Sequence, residues 1–192
     1  MIKELIIKNR SYRRFYQDVE ISTEVLEHLV DLARLSASGA NMQPLKYYLS
    51  NKPESNEVVF KHLKWAAYLK EWDGPEEGEK PSAYIVVLCD QNIRKNVSCD
   101  HGIVSQSILL GACEKEYGGC IFGSINREGL RSDLNIPERY DILLVIALGK
   151  PKEKVVLDEI EADGDIKYWR DDKGIHHVPK RKLKDIILDS IS

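Results

Sequence analysis

Several things are scarce in this sequence, and each scarcity narrows what the chain can be. Among 192 residues there are four cysteines, Cys89, Cys99, Cys113 and Cys120, scattered without a CxxC pair. A chain of this length needs no disulfide staples, so the thiols are expected to be reduced and mostly packing. Cys99-Asp100-His101 and His176-His177 supply ligand-type side chains, but neither has a partner at the spacing of a zinc site. No apolar run approaches the roughly 18 residues needed to cross a bilayer, and Met1-Ile2-Lys3-Glu4-Leu5 does not open a signal peptide. A soluble cytoplasmic protein is the default expectation. Charge of one sign is missing too: 31 % of residues are charged, yet the formal net charge is -3. That leaves no global basic field of the kind nucleic-acid binding draws on, and no recognition module stands out. There is also no Ser-His-Asp, Cys-His or paired-carboxylate constellation.

Against that background, Asn9-Arg10-Ser11-Tyr12-Arg13-Arg14-Phe15 needs a local explanation. It places three guanidinium groups and a hydroxyl directly behind a short helical run, Lys3 to Lys8. Guanidinium presents planar donors that match phosphate oxygens and stays charged at physiological pH, which makes the segment a candidate anion clamp. The competing reading is a solvated basic cluster at a helix C-terminus, where the dipole favours positive charge.

The rest of the chain alternates helical and strand patterns, as expected for one domain over 1–192 built on a central sheet. Ser22 reads as an N-cap and Glu24 as a first-turn acid, and Val25, Leu26, Leu29, Val30, Ala33 and Leu35 recur at helical spacing to about Ala37. The helix ends in Ser36-Ala37-Ser38-Gly39-Ala40-Asn41-Met42-Gln43-Pro44, either a plain C-cap and turn or a loop whose glycine and amides approach a ligand. Leu45 to Ser50 is expected as a strand and Pro53 to Glu71 as helical, with Trp65, Tyr68 and Trp72 as core or interface aromatics. Asp73 to Pro81 is a loop able to rim a pocket. Ala83 to Cys89 and Asp141 to Gly149 are apolar runs of strand length, expected to be covered on both faces. Asp100 to Tyr117 is a helix apolar on nearly every side, suited to a central position shared with a second subunit. Gly118 to Ser124 is strand-like, Asn126 to Leu134 helical, and Lys180-Arg181-Lys182 precedes a final helix from Leu183 to about Ile191.

Four segments together carry a resemblance. Arg10 to Phe15, Ser36 to Pro44, Gly119-Cys120-Ile121-Phe122-Gly123 and Asp141 to Pro151 resemble, in order and spacing, the FMN-dependent nitroreductase family. The likeness covers essentially the whole chain. It implies an α+β fold, a three-layer sandwich with a central mixed or antiparallel sheet, forming an intertwined homodimer with FMN at the interface. By position, Arg10, Ser11 and Arg13 would contact the phosphate, ribityl chain and pyrimidine edge of FMN, with the division between the two arginines left open. Ser38, Asn41 and Gln43 would approach that flavin from the other subunit. Backbone along Ile121, Phe122 and Gly123 would face the isoalloxazine, and Lys180 and Arg181 match a late basic pair that closes on the phosphate. The implied activity is NAD(P)H-dependent, ping-pong reduction of nitroaromatics, quinones or similar electron-poor acceptors. On this reading the site residues are binders, with no catalytic side chain and no metal. Relatives with the same type of loop include reductive dehalogenases and a flavin-destroying enzyme, for which Trp65 to Pro81 is the lid candidate. A non-enzymatic dimeric scaffold is the reading from another class. Two departures from the family pattern stand out: Asn9 occupies a position where many members have another arginine, and Lys61 to Trp72 lacks a clear Asn and Lys pair that some bacterial members place on the flavin.

Overall fold

A computed structural model describes residues 1–69 and 71–189. The frame is an antiparallel sheet whose spine is β5 (Tyr140–Pro151), twelve residues long and paired along both of its edges. On one edge lies β3 (Ala83–Asp90), paired from Ala83 opposite Leu148 to Asp90 opposite Tyr140 with a register shift between Val87 and Leu88, and β2 (Leu45–Ser50) lies beyond it. The other partners of β5 are β4 (Gly118–Phe122) and the two-residue β1 (Phe15–Tyr16), which meets Pro151 and Lys150.

Alternation along these strands divides the core in two. Ile85, Val87, Ile146 and Leu148 face one way, against Leu26, Leu29 and Ala33 of α2 (Thr23–Arg34) and Val104, Ile108 and Ala112 of α4 (Asp100–Glu114). Tyr84, Val86, Val145 and Ala147 face the other way, toward Val59 of α3 (Pro53–Phe60) and Leu130 of α5 (Arg127–Asp133). Helices on both faces of one sheet make three layers, the α+β sandwich expected from the sequence. Every residue of β3 is buried, as its unbroken apolar run requires. Ser22 caps α2, accepting from the Val25 N–H, and Asn126 caps α5, accepting from the Gly129 N–H.

Three segments depart from the sequence-based expectation. The helix starting at Pro53 stops at Phe60 instead of running to Glu71. Ala66 turns to φ 31°, and Trp65 leaves the helical path to pack edge-on against Phe122 at 4.6 Å. The stretch beyond Pro151 holds a second sheet: β6 (Val155–Ile160) runs parallel to β8 (His176–Arg181), which pairs antiparallel with β7 (Trp169–Arg170). The final helix is reduced, among the described residues, to one 3-10 turn at Leu183–Asp185; the remainder of that expected helix, 190–191, lies outside them. Among the described residues no helix is long and apolar enough to cross a membrane.

Packing is tightest where β4 meets β5. A Cβ at Gly119 would overlap the Ala147 carbonyl oxygen and come within 2.8 Å of Leu109. Gly119→Ala is therefore expected to cost about 1–3 kcal/mol through overpacking against backbone that cannot move aside. Urea denaturation of the variant against wild-type is the measurement.

Candidate functional site

The segment that follows α1 (Ile2–Lys8) is fixed at both of its ends. Asn9 closes the helix with its N–H on the Leu5 carbonyl at 2.7 Å. The Tyr12 N–H then donates to Gly119 O at 3.0 Å, and Ser11 bridges to Gly119, laying the chain along the start of β4. Phe15, fully buried, ends the run by sitting against the sheet.

The three arginines held this way have different tasks. Arg14 is locked to Glu79, donating from Nη2 at 2.7 Å and also from Nε, and Lys152 adds a second cation at 3.0 Å. The pair raises the Arg14 pKa and holds the Glu79 carboxyl below its ordinary value. Arg10 and Arg13 have no carboxylate partner among the described residues. Arg10 bonds to the Ile6 carbonyl and keeps a buried Nε without a partner, burial lowering its pKa. Arg13 donates from Nη1 to the Ser11 carbonyl at 3.2 Å and lies 3.3 Å from His176 Nε2, with its guanidinium 4.7 Å above the Tyr168 ring.

These two free guanidiniums border a cavity of about 290 Å³ lined by Asn9, Arg10, Ser11, Arg13, Gln106, Leu109, Ile121, Tyr168, His176, Val178 and Lys180. Three of the side chains are cationic and none is a carboxylate, so the lining carries a local excess of positive charge. Its C-terminal wall comes from β8, where His176, Val178 and Lys180 share one face by alternation.

One buried carboxylate joins that wall to the arginine segment. Glu153, with a side chain 1 % exposed, accepts from the backbone N–H groups of Arg13 and Arg14 through Oε1 and from Arg170 Nη2 at 2.9 Å through Oε2. Arg170 in turn lies 4.4 Å over the Trp72 ring, and Tyr168 packs on Tyr68 at 5.0 Å.

The loop after α2 forms a separate site. Ser38 donates to Asp100 Oδ2 at 2.7 Å, the Gly39 N–H reaches Oδ1 at 3.1 Å, and the Gln43 N–H donates to Ser38 Oγ at 2.9 Å. Asp100, 2 % exposed at the start of α4, has its carboxyl held below the usual range by these bonds, the Ser38 hydroxyl first. Ala40, Asn41 and Gln43 all adopt left-handed backbone, with φ of 51°, 52° and 51°. Ser38 and Gln43 border a cavity of about 240 Å³ with Tyr47, whose hydroxyl is pushed up to about 12 by burial and then by Asp100. No residue lines both cavities.

Of the residues singled out from the sequence, Arg10, Ser11, Arg13, Ile121 and Lys180 come together in one cavity. Ser38, Asn41 and Gln43 lie in the other loop. Phe122 points into the core against Trp65, while Gly123 is exposed and Arg181 turns to the opposite face of β8 from Lys180 and bonds the Ala162 carbonyl. Gln106, Tyr168 and His176 line the cavity without having been singled out for it. For His176, the signal was the period of two back from Lys180, visible only once that segment is known to be a strand.

Comparison with known proteins gives one consistent answer. The profile of the nitroreductase family matches residues 6–150. A Methanothermobacter thermautotrophicus protein named, provisionally, NADH dehydrogenase/NAD(P)H nitroreductase is 30 % identical over 154 residues, covering 77 % of this chain and 76 % of the relative. Among solved structures, a nitroreductase family protein from Clostridium novyi NT superposes with a TM-score of 0.66 at 23 % identity, over 79 % of this chain and 86 % of that one. An FMN-dependent nitroreductase from Clostridium difficile R20291 gives 0.64 at 21 % identity, over 80 % and 89 %.

Two outcomes follow from the geometry. Glu153→Ala leaves Arg170, 16 % exposed, without its partner and releases two backbone donors, so a loss of about 3–5 kcal/mol in urea-measured stability is expected. His176 is held down from 6.5 to about 4, by burial first and then by Arg13, Arg170 and His177. The unfolded chain therefore takes up the proton before the folded one, and stability falls as pH drops from about 6.5 to 4. Denaturation midpoints measured across that window should slope less in His176→Gln than in wild-type.

Proposed function

The chain belongs to the nitroreductase family, and from that premise we propose that it is a cytoplasmic FMN-dependent NAD(P)H oxidoreductase reducing an electron-poor acceptor such as a nitroaromatic or a quinone. The observation that carries the reading is the convergence of Arg10, Arg13 and Lys180 on one cavity with no carboxylate in its lining. A phosphate at neutral pH carries close to two negative charges, and two guanidiniums with an ammonium answer that charge from both ends of the chain. Arg10 also keeps a buried Nε without a partner among the described residues, an orphaned donor of the kind that a bound anion would satisfy. The Methanothermobacter relative's name supports the nicotinamide donor, and the Clostridium difficile neighbour is itself FMN-dependent.

When bound, FMN supplies hydride transfer from NAD(P)H and then to the acceptor in two half-reactions. The protein's part is to bind and orient. Arg10 and Arg13 share the phosphate and the electron-rich edge of the ring system, and a cation at that edge favours the charge gained on reduction. Ile121, 39 % exposed, offers an apolar flank for a flat ring. No side chain is assigned a proton-transfer role.

The cavity, at about 290 Å³, is at the small end for a ligand site and has room for only part of a flavin nucleotide. We place the missing wall in a second copy of the chain, whose Ser38, Asn41 and Gln43 reach the flavin across a homodimer interface. The exposed apolar residues of α1, among them Ile2 and Ile6, support such a contact.

Purified protein is expected to be yellow, or to bind added FMN, and to run as a dimer in light scattering. Arg10→Ala and Arg13→Ala should each weaken FMN by about 10- to 100-fold, the worth of a hydrogen bond to a charged group. Arg14→Ala, which breaks the Glu79 pair, should lower the melting temperature and leave flavin affinity near wild-type. A ranking in which Arg14→Ala loses the most flavin would overturn the assignment.

A further inference from the structure

We propose that His176 is a positioning residue for the flavin, a neutral acceptor that aims the Arg13 guanidinium into the cavity without consuming its charge. The inference rests on the flavin reading above and adds to it a contact from β8, beyond residue 150 where the family profile ends.

The three groups that hold Arg13 are all uncharged. They are the Ser11 carbonyl at 3.2 Å, the Tyr168 ring face at 4.7 Å and His176 Nε2 at 3.3 Å. Guanidinium is a donor only, so in this contact Nε2 accepts and the ring proton goes to Nδ1, which is buried with no partner among the described residues. A doubly protonated ring would set an N–H against an N–H and break the contact. What surrounds His176 keeps it neutral. The residue is 1 % exposed, Arg13 and Arg170 face it as cations, and His177 adds to them, holding its pKa at about 4. The Tyr168 ring covers one side at 5.2 Å, and the backbone N–H of His176 is tied to the Lys154 carbonyl at 2.9 Å. Glu153, the carboxylate that Arg170 pairs with, is occupied by Arg170 and by backbone N–H groups.

Arg14 shows the alternative. Held by Glu79 in a two-point ion pair, its charge is answered within the protein. Arg13 is fixed by dipoles and a ring face, so its net charge stays available to an anionic group. That group is either the phosphate of the nucleotide or the electron-rich edge of its ring system.

The test uses full-length protein carrying His176→Gln, His176→Glu or His176→Leu, with FMN and riboflavin affinities measured by flavin fluorescence at pH 8. Gln and Glu have the same shape and differ in charge, so their comparison reads electrostatics apart from packing. Gln keeps a neutral acceptor at the ε position and should bind FMN within about threefold of wild-type, Leu about tenfold weaker. Glu should pair with Arg13 and bind about 100-fold weaker, with a smaller dependence of affinity on salt. Riboflavin locates the charge: a Gln–Glu difference confined to FMN assigns Arg13 to the phosphate, and one shared by both ligands assigns it to the ring system. Equal FMN affinities for Gln and Glu, or a Leu variant that binds like wild-type, overturn the inference while the flavin reading stands. A wild-type protein that binds no flavin overturns both.

Discussion

The carboxylate of Glu153 is the constraint on which the site geometry depends. It accepts from two successive backbone N–H groups, at Arg13 and Arg14, and from Arg170, so that a segment near the chain's beginning and a sheet near its end share one buried anion. Burying a carboxylate is costly unless every lone pair is used, and here the donors come from both sides. The consequence is directional. With the Arg13–Arg14 peptide fixed, successive side chains diverge: Arg13 goes toward Tyr168 and His176, Arg14 toward Glu79. Without that anchor β7 and β8 would have no charged attachment to the main sheet at this point, and the cavity would lose the wall that carries His176, Val178 and Lys180.

The distribution of paired and unpaired charge separates framework from site. Asp90, fully buried, is matched by Arg139, and Glu79 is matched by Arg14 and Lys152. These contacts close loops onto strand ends and answer each carboxylate within the protein. Arg10, Arg13 and Lys180 do the opposite, placing like charges around one space at some cost in repulsion. The protein tolerates this because Arg10 and Arg13 rest on carbonyls and an aromatic face, which stabilise a cation without cancelling it. An arrangement that is unfavourable alone and favourable with an anion present is what a binding site requires.

How far the sequence revealed this depends on the range of the interactions involved. The β3 and β5 strands were legible because an apolar run of strand length has one stable fate, and the Ser22 cap because capping is settled within three residues. The arginine segment was legible as a cationic cluster needing a local explanation, but the division of labour among its three guanidiniums was not, because Glu79 and Tyr168 lie far along the chain. The sheet of β6, β7 and β8 escaped detection for local reasons: β7 is two residues long, β8 contains Pro179, and β6 mixes Asp158 and Glu159 with its apolar residues. The helix expected through Glu71 stops short of a tertiary contact that local periodicity does not encode, Trp65 packing edge-on against Phe122. Lys180 and Arg181 read as one basic pair in sequence, yet strand alternation sends them to opposite faces.

The loop from Ser38 to Gln43 is more constrained than its sequence suggests. Three of its non-glycine residues hold left-handed backbone, each at a cost of order 1 kcal/mol, and a buried aspartate at the start of α4 fixes the Ser38 hydroxyl and the Gly39 N–H just ahead of them. A plain turn after a helix needs one such residue, usually glycine. Strain held in place by a dedicated carboxylate indicates a shape kept for contact, but the loop borders a different cavity from Arg10 and Arg13 and makes no wall with them. Among the described residues of one chain, the loop reaches the cavity it shares with Tyr47. The homodimer proposed above would bring one copy's loop over the other's cationic cavity, and the same operation would cover the apolar side chains that α1 leaves exposed.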